Sequence, residues 1–247
     1  MAKVRLKVYR RDPAKGEAGR FANYAVPFEE GMVVLDAVNY ISEHIDTSLS
    51  VRWNCKAARC GSCAAEINNR PALMCKTKID ANSGEITVGP MRAFPFVKDL
   101  VTDISSNYAI ARRIPKFTPK TGLESPWRMR QMDVERSQEF RKCIECYLCM
   151  DVCHAVRFHK GYIGPRHVIK AASLDMHPLD TLDRSGMLTE HGLGLCNVTK
   201  CCQEVCPEKI KITDNAIIPE KERHADKAYD PILWILKKAR GEDNGEE

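Results

Sequence analysis

No stretch of this 247-residue chain approaches the roughly 20 consecutive apolar residues needed to cross a bilayer. The chain is therefore expected to be soluble by itself, with any membrane contact made through partners or a surface patch. Its first residues, MAKVRLKVYR, lack the apolar core of a secretory signal. The Arg10-Arg11 pair runs into DPAKGEAG, which is not an export signal either. There is no G-x-G-x-x-G and no Walker loop, so no nucleotide cradle is expected, and Gly192-Leu193-Gly194 reads only as a turn. Aromatics make up 7% of the residues and interleave with no basic run. The formal net charge of +5 is too mild and too dispersed to argue for a nucleic acid, and no such partner is expected. No C-x-H pair exists for Rieske ligation, and the C-x3-C-H at Cys149–His154 is one residue too long for the c-type haem signature. The seven histidines are scattered. His154, His159 and His167 lie near a group of cysteines, where they could tune a cluster or line a quinone pocket but a plain structural role is expected. The chain thus shows no equipment for hydride or proton chemistry on an organic substrate.

What is abundant is cysteine. Twelve fall into three groups: Cys55, Cys60, Cys63 and Cys75; Cys143, Cys146, Cys149 and Cys153; and Cys196, Cys201, Cys202 and Cys206, the last followed by Pro207. A cysteine-rich chain is usually secreted and disulfide-stapled, or intracellular and metal-bound. The tight C-x2-C spacings favour metal, since neighbouring thiolates converge on a core without closing long loops. The length also makes staples unnecessary.

The first group reads C-x4-C-x2-C, with Cys75 after eleven more residues, the spacing of plant-type [2Fe–2S] ferredoxins. Its loop, KAARCGSCAAE, is built from small residues that let backbone N–H groups approach sulfur. A zinc knuckle would instead pair two C-x2-C units, and none is near. The second group, C-x2-C-x2-C-x3-C, follows the bacterial cluster run, whose fourth cysteine ligates the other cluster of a pair. By that rule Cys143, Cys146 and Cys149 hold one cluster, and Cys206, ahead of its proline, returns to complete it as [4Fe–4S]. Cys153 crosses over to join Cys196 and one of the adjacent Cys201 and Cys202. The position three residues after Cys196, where a cubane would want a thiolate, is Thr199, so three ligands and a [3Fe–4S] centre are expected. Cys202, four residues before Cys206, is the chosen ligand, with Cys201 a small buried thiol. Cys201 as a fourth ligand, giving a second [4Fe–4S], is the competing reading.

The cysteine grouping divides the chain near residue 100, into an expected domain over 1–100 and another over 101–247. In the first, 3–9 alternate apolar and basic, which predicts a half-buried strand with a hairpin partner at 22–28. Val33, Val34, Ala37, Val38, Ile41 and Ile45 predict an amphipathic helix, and strands are expected at 64–67 and 85–88 with a turn at Asn68–Pro71. Strands plus one helix, with a cysteine loop after it, fit a small β-grasp ferredoxin domain. Beyond it, Val97, Leu100, Val101, Ile104 and Tyr108 predict a helix stopping before Pro115, and 115–127 read as a proline-rich surface excursion. Helices are expected at 134–142, 165–176 and 178–188. Another starts at Asp230-Pro231 and runs to Lys237, Lys238 and Arg240, ahead of a frayed GEDNGEE tail. The fold class is α+β: a β-grasp plant-type ferredoxin domain followed by an α-helical ferredoxin domain.

This order of domains and cysteine spacings resembles the iron–sulfur subunit of succinate dehydrogenase and fumarate reductase over nearly the whole chain. CGSC at 60–63, Gly164-Pro165 and Cys206-Pro207 share in the likeness. RKCIECYLC, KCCQEVCPE and IKITDNAIIP look closest to an actinobacterial-type branch. The resemblance implies a peripheral subunit on the cytoplasmic face of the cell membrane, between a FAD-containing flavoprotein subunit and membrane anchor subunits. It would pass electrons through [2Fe–2S], [4Fe–4S] and [3Fe–4S] to quinone, as respiratory complex II does. The family pattern assigns Cys55, Cys60, Cys63 and Cys75 to the first centre and Cys143, Cys146, Cys149 and Cys206 to the second. It gives Cys153, Cys196 and Cys202 to the third. A fumarate reductase subunit, or one serving another flavin dehydrogenase, is the alternative. The departures from the family pattern are His154 in place of proline, Phe158 in place of tryptophan and Asn197 in place of histidine. All three fall at positions that in the family lie near quinone, and a low-potential menaquinone is the expected acceptor.

Overall fold

The computed structural model describes residues 2–239. The N-terminal half is a five-stranded mixed sheet in the order β2-β1-β5-β3-β4. Strand β1 (Lys3–Arg10) pairs antiparallel along its full length with β2 (Arg20–Pro27) and in parallel with β5 (Ile86–Gly89). Strands β3 (Ala64–Ile67) and β4 (Arg70–Leu73) form a hairpin whose turn, Asn68-Asn69, has both residues at positive φ. The alternation expected in β1 sends Val4, Leu6 and Val8 into the core at 2% exposure or less. Helix α1 (Val34–Tyr40) packs Val34, Leu35, Ala37 and Val38 against that face, and the Asp36 carboxylate accepts from the Val33 N–H at 3.0 Å. Its last turn widens into a π-type turn over Ile41–Ile45.

The helix expected from Val97 onward begins later. Residues 96–102 are a small antiparallel ribbon, β6 (Phe96–Lys98) with β7 (Val101–Thr102), and helix α2 (Ser105–Arg113) follows. The apolar spacing there fits either period, and Asp99 decides it. Asp99 turns at positive φ and is buried, and its carboxylate accepts from Arg10 Nε at 3.0 Å and from the N–H groups of Arg11 and Ser50. Arg10, seen in the sequence only as half of a twin-arginine pair, thereby ties β1 to this turn and also to Asp46.

The rest is helical: α3 (Gln131–Arg141), α4 (Leu148–Asp151), α5 (His154–Phe158), α6 (Pro165–Asp175), α7 (Ser185–Glu190), α8 (Cys201–Glu204), α9 (Ile218–Tyr229) and α10 (Pro231–Ala239). The helix expected over 178–188 is confined to α7. Residues 178–184 are instead an irregular loop around buried Arg184, whose guanidinium donates to Asp175, Asp180 and the carbonyls of Pro115 and Lys116. Helix α9 was missed, because its apolar residues are few and its sequence IPEKERHADKAY is mostly polar. The start of α10 is as expected: the Ile232 N–H donates to the Asp230 side chain at 2.8 Å. Arg240 and the GEDNGEE tail lie outside the described residues. Within them, no helix is long and apolar enough to cross a membrane.

Sheet and helices meet through paired polar groups as well as apolar ones. Buried Glu66 on β3 accepts from Arg92 and, at 3.1 Å, from Arg157 on α5. The Ala93 N–H donates to Asp151 on α4 at 2.8 Å, and Lys76 donates to the Pro207 carbonyl at 2.8 Å. Burial raises the Asp151 carboxyl to about 6 despite the Ala93 bond and nearby Arg157.

Candidate metal centres

The first cysteine loop folds by bending left-handed three times. Lys56 (φ 54°), Ala58 (φ 54°) and Gly61 (φ 69°) all take the αL conformation that a run of small residues permits. Each bend turns backbone donors inward. The Ala57 and Arg59 N–H groups point at Cys55 Sγ, at 3.3 and 3.4 Å, and that of Ser62 points at Cys60 Sγ at 3.5 Å. Burial alone would raise the Cys60 thiol, but hydrogen bonds from Ser62 and Cys55 hold it down to about 6. Cys63, on the buried side of the loop next to Cys60 and Cys75, is pushed up by burial to about 12. Cys75 arrives from the segment after β4, where the Met74 N–H donates to the Cys63 carbonyl at 3.0 Å. The four residues expected for the first centre are thus brought together. Cys55 is exposed, Cys60 and Cys75 are half-buried, and Cys63 is buried.

The other groups interleave as the pairing rule expects. Cys143, Cys146, Cys149 and Cys206 line one cavity, closed by Ile169, Ile210 and Ile212. Cys149 is buried and its thiol is pushed far up, first by burial and then by Cys146, Cys143, Cys202 and Cys206 around it. Burial holds Cys146 up to about 12. The Ile210 N–H points at Cys206 Sγ at 3.4 Å. Cys153 stands apart from this cavity, near Cys201 and Cys196. Cys202 completes that third gathering, pushed up to about 12 by burial, with Thr213 Oγ1 at 3.4 Å from its sulfur.

Cys201, expected to be buried, is half-buried, since α8 begins there and turns only Cys202 fully inward. Its Sγ accepts from Thr199 at 3.4 Å, and it lies close to Cys153 and Cys202. His167 is buried with Nε2 3.3 Å from Asn107 Oδ1, and burial lowers it to about 3, so it is a neutral core residue. His159 is exposed and His154 half-buried at the start of α5.

The donor set fits inorganic clusters. Twelve thiols carry no disulfide. Burial pushes up the thiols of Cys146, Cys149, Cys153 and Cys202, so a cationic core is what would make thiolates of them. Among the described residues, no three histidine, cysteine or acidic side chains close around one point as a single ion requires. Cys143, Cys146, Cys149 and Cys206 stand instead around a shared cavity, which suits a multi-atom core. Two residues that sequence reasoning passed over face these thiols. Arg166, at the start of α6, lines the second cavity near Cys143 and Cys149 and pairs with Glu145. The Tyr162 hydroxyl is buried among Cys196, Cys153 and Cys202. Both flank the Gly164-Pro165 pair, which was the only sequence signal for them.

The two cysteine loops also touch. A Cβ added at Gly61 would stand 2.6 Å from Cys146 Cα, so first and second loops meet backbone to backbone.

Known proteins match this arrangement. Residues 5–109 match the 2Fe-2S iron-sulfur cluster binding domain and residues 139–210 the 4Fe-4S dicluster domain. The fumarate reductase iron-sulfur subunit of Haemophilus influenzae is 30% identical over 224 residues, covering 84% of this chain and 88% of the relative. That of Mycobacterium tuberculosis is 30% identical over 221 residues, with 85% and 88% covered. A chain of the Mycobacterium smegmatis Sdh1 complex in the apo form superposes with a TM-score of 0.87 at 54% identity, covering 93% of this chain and 98% of that one.

Proposed function

We propose, from the premise that this chain belongs to the iron–sulfur subunits of the succinate dehydrogenase and fumarate reductase family, that its three cysteine sets act in series. It is an electron-transfer subunit of that oxidoreductase, and part of a multi-subunit complex. We assign Cys55, Cys60, Cys63 and Cys75 to a [2Fe–2S] cluster, Cys143, Cys146, Cys149 and Cys206 to a [4Fe–4S] cluster, and Cys153, Cys196 and Cys202 to a [3Fe–4S] cluster. The division between the two domains is placed near residue 100.

One observation carries the order of the relay: the sets adjoin in that sequence. The first loop touches the second at Gly61 and Cys146, and the second neighbours the third where Cys149 faces Cys202. When bound, the clusters supply one-electron redox chemistry with no bond made or broken in the protein. This chain's residues hold the thiolates, bury Cys146, Cys149, Cys153 and Cys202, and hydrogen-bond sulfurs in the outer set and at Cys206. The two ends are open. Cys55 is exposed beside half-exposed Trp53, the side on which a FAD-containing flavoprotein would dock. Near the third set Phe158 is 80% exposed and Leu195 is also exposed, an apolar end for the membrane anchor and quinone, with menaquinone the expected acceptor. The subunit then sits peripherally at the cytoplasmic face of the membrane, held by its anchor.

The likeness to a succinate dehydrogenase chain at 54% identity favours succinate oxidation as the working direction. The likeness to fumarate reductase iron-sulfur subunits favours fumarate reduction as the second reading. The test is purification followed by electron paramagnetic resonance. Co-purification with a flavoprotein and a membrane subunit, with three distinct cluster signals, is the expected result. A monomeric, diffusible chain, or one holding only zinc, would defeat the proposal. Cys202→Ser is expected to abolish the third signal while Cys201→Ser leaves it intact. The reverse outcome would exchange the two cysteines in the assignment.

A further inference from the structure

We propose that the Tyr162 hydroxyl donates a hydrogen bond to a sulfur of the third centre and thereby sets that centre's reduction potential. The inference rests on the assignment of Cys153, Cys196 and Cys202 to that centre.

Tyr162 is pinned on both sides by backbone bonds. Its own N–H donates to the His159 carbonyl at 3.1 Å, and that of Ile163 donates to the His191 carbonyl at 2.9 Å. The ring is 5% exposed. Its hydroxyl has no hydrogen-bond partner among the protein atoms. Leaving a buried donor unpaired is costly, and phenylalanine would fill the same space without that cost. The hydroxyl therefore contributes nothing to packing that explains its presence.

What surrounds it is sulfur. Its neighbours are the Cys196, Cys153 and Cys202 thiols. A phenol in its ordinary state keeps its proton at neutral pH, and a sulfur offers it only an acceptor, so the hydroxyl donates. A donor aimed at a cluster sulfur draws electron density from the core and stabilises the reduced state, which raises the potential. Tyr162 is thus a positioning and tuning residue that never takes the electron itself.

The experiment is a redox titration of the intact complex followed by electron paramagnetic resonance. Tyr162→Phe is expected to keep the third-centre signal at full amplitude and shift its midpoint to lower potential, leaving the first and second centres unmoved. A second variant carries 3-fluorotyrosine at 162, which keeps ring and hydroxyl but donates more strongly. It is expected to shift the same midpoint upward. An intact third signal with unmoved potential in either variant overturns the proposal alone. If Tyr162→Phe loses the cluster, the fluorinated variant still decides, an unmoved midpoint overturning the proposal and an upward shift supporting it. A complex with no third-centre signal at all overturns both this inference and the ligand assignment beneath it.

Discussion

The first cysteine set and the two inner sets solve the same problem in opposite ways. The outer loop lies at the surface and prepares its sulfurs with backbone: three αL bends aim N–H groups at Cys55 and Cys60, and Cys60 is held down to about 6. The inner sets also receive backbone donors, as Cys206 does from the Ile210 N–H, but there burial outweighs them and holds Cys146 and Cys202 up to about 12. A preorganised loop keeps its shape with or without its core. An enclosed set of neutral thiols gains its charge only with iron, so there metal binding and folding are coupled.

Substituting one ligand on each side breaks or sharpens this contrast. Cys206→Ser is expected to remove the second-centre signal, bring electron transfer to quinone down to background and loosen the helical half. Cys55→Ser should lose only the first-centre signal, with circular dichroism and the melting temperature little changed. Equal melting losses in both variants would show that enclosure and preorganisation are not different strategies. Gly61→Ala tests the seam between them. It strains a φ of +69° and drives a methyl into Cys146 Cα, so a loss of about 2 kcal/mol or more is expected by chemical denaturation. An unchanged midpoint would mean that the two loops can part.

The halves should also respond to acid with opposite sign. In the sheet half, hydrogen bonds from Ser48, Arg10 and Tyr24 outweigh burial and hold the Asp46 carboxyl well below the usual carboxylate range, so its contribution is lost only as strong acid protonates it. In the helical half, burial raises Glu220 to about 7, and neither carboxylate oxygen has a hydrogen-bond partner. Arg223 and Arg184 oppose that shift and Asp175 adds to it. The folded state therefore holds the Glu220 proton more tightly than the unfolded chain, and stability falls as pH rises from about 4.5 to about 7. Glu220→Gln should flatten that slope and be the more stable protein at pH 8, by on the order of 2–3 kcal/mol. Parallel stability curves for the two proteins across that window would refute the assignment.

The three cysteine groups were legible because most of the spacing within each is local, while the returns of Cys75 and Cys206 followed from pairing rules rather than from neighbouring residues. The β1–β2 hairpin and α1 were legible from their periods for the same reason. What was not legible depended on partners far along the chain. Val97, Leu100, Val101 and Ile104 fit helical spacing, and only the carboxylate of Asp99, gathering bonds from Arg10, Arg11 and Ser50, makes the ribbon there. The loop before α7 is likewise organised by Arg184 reaching back to residues 115 and 116. Tyr162 and Arg166 escaped notice since a tyrosine or an arginine has no spacing rule toward sulfur. Their meaning comes from burial beside thiols brought in from other elements.

The absence of any side chain at Gly61 has a kinetic corollary. With two backbones in contact across the seam, the halves have no slack in which to swing, so the gap an electron must jump between the outer and middle stations is fixed once the chain has folded. Thickening the solvent with glycerol should then slow the docking of partners and leave the internal hop at its original speed.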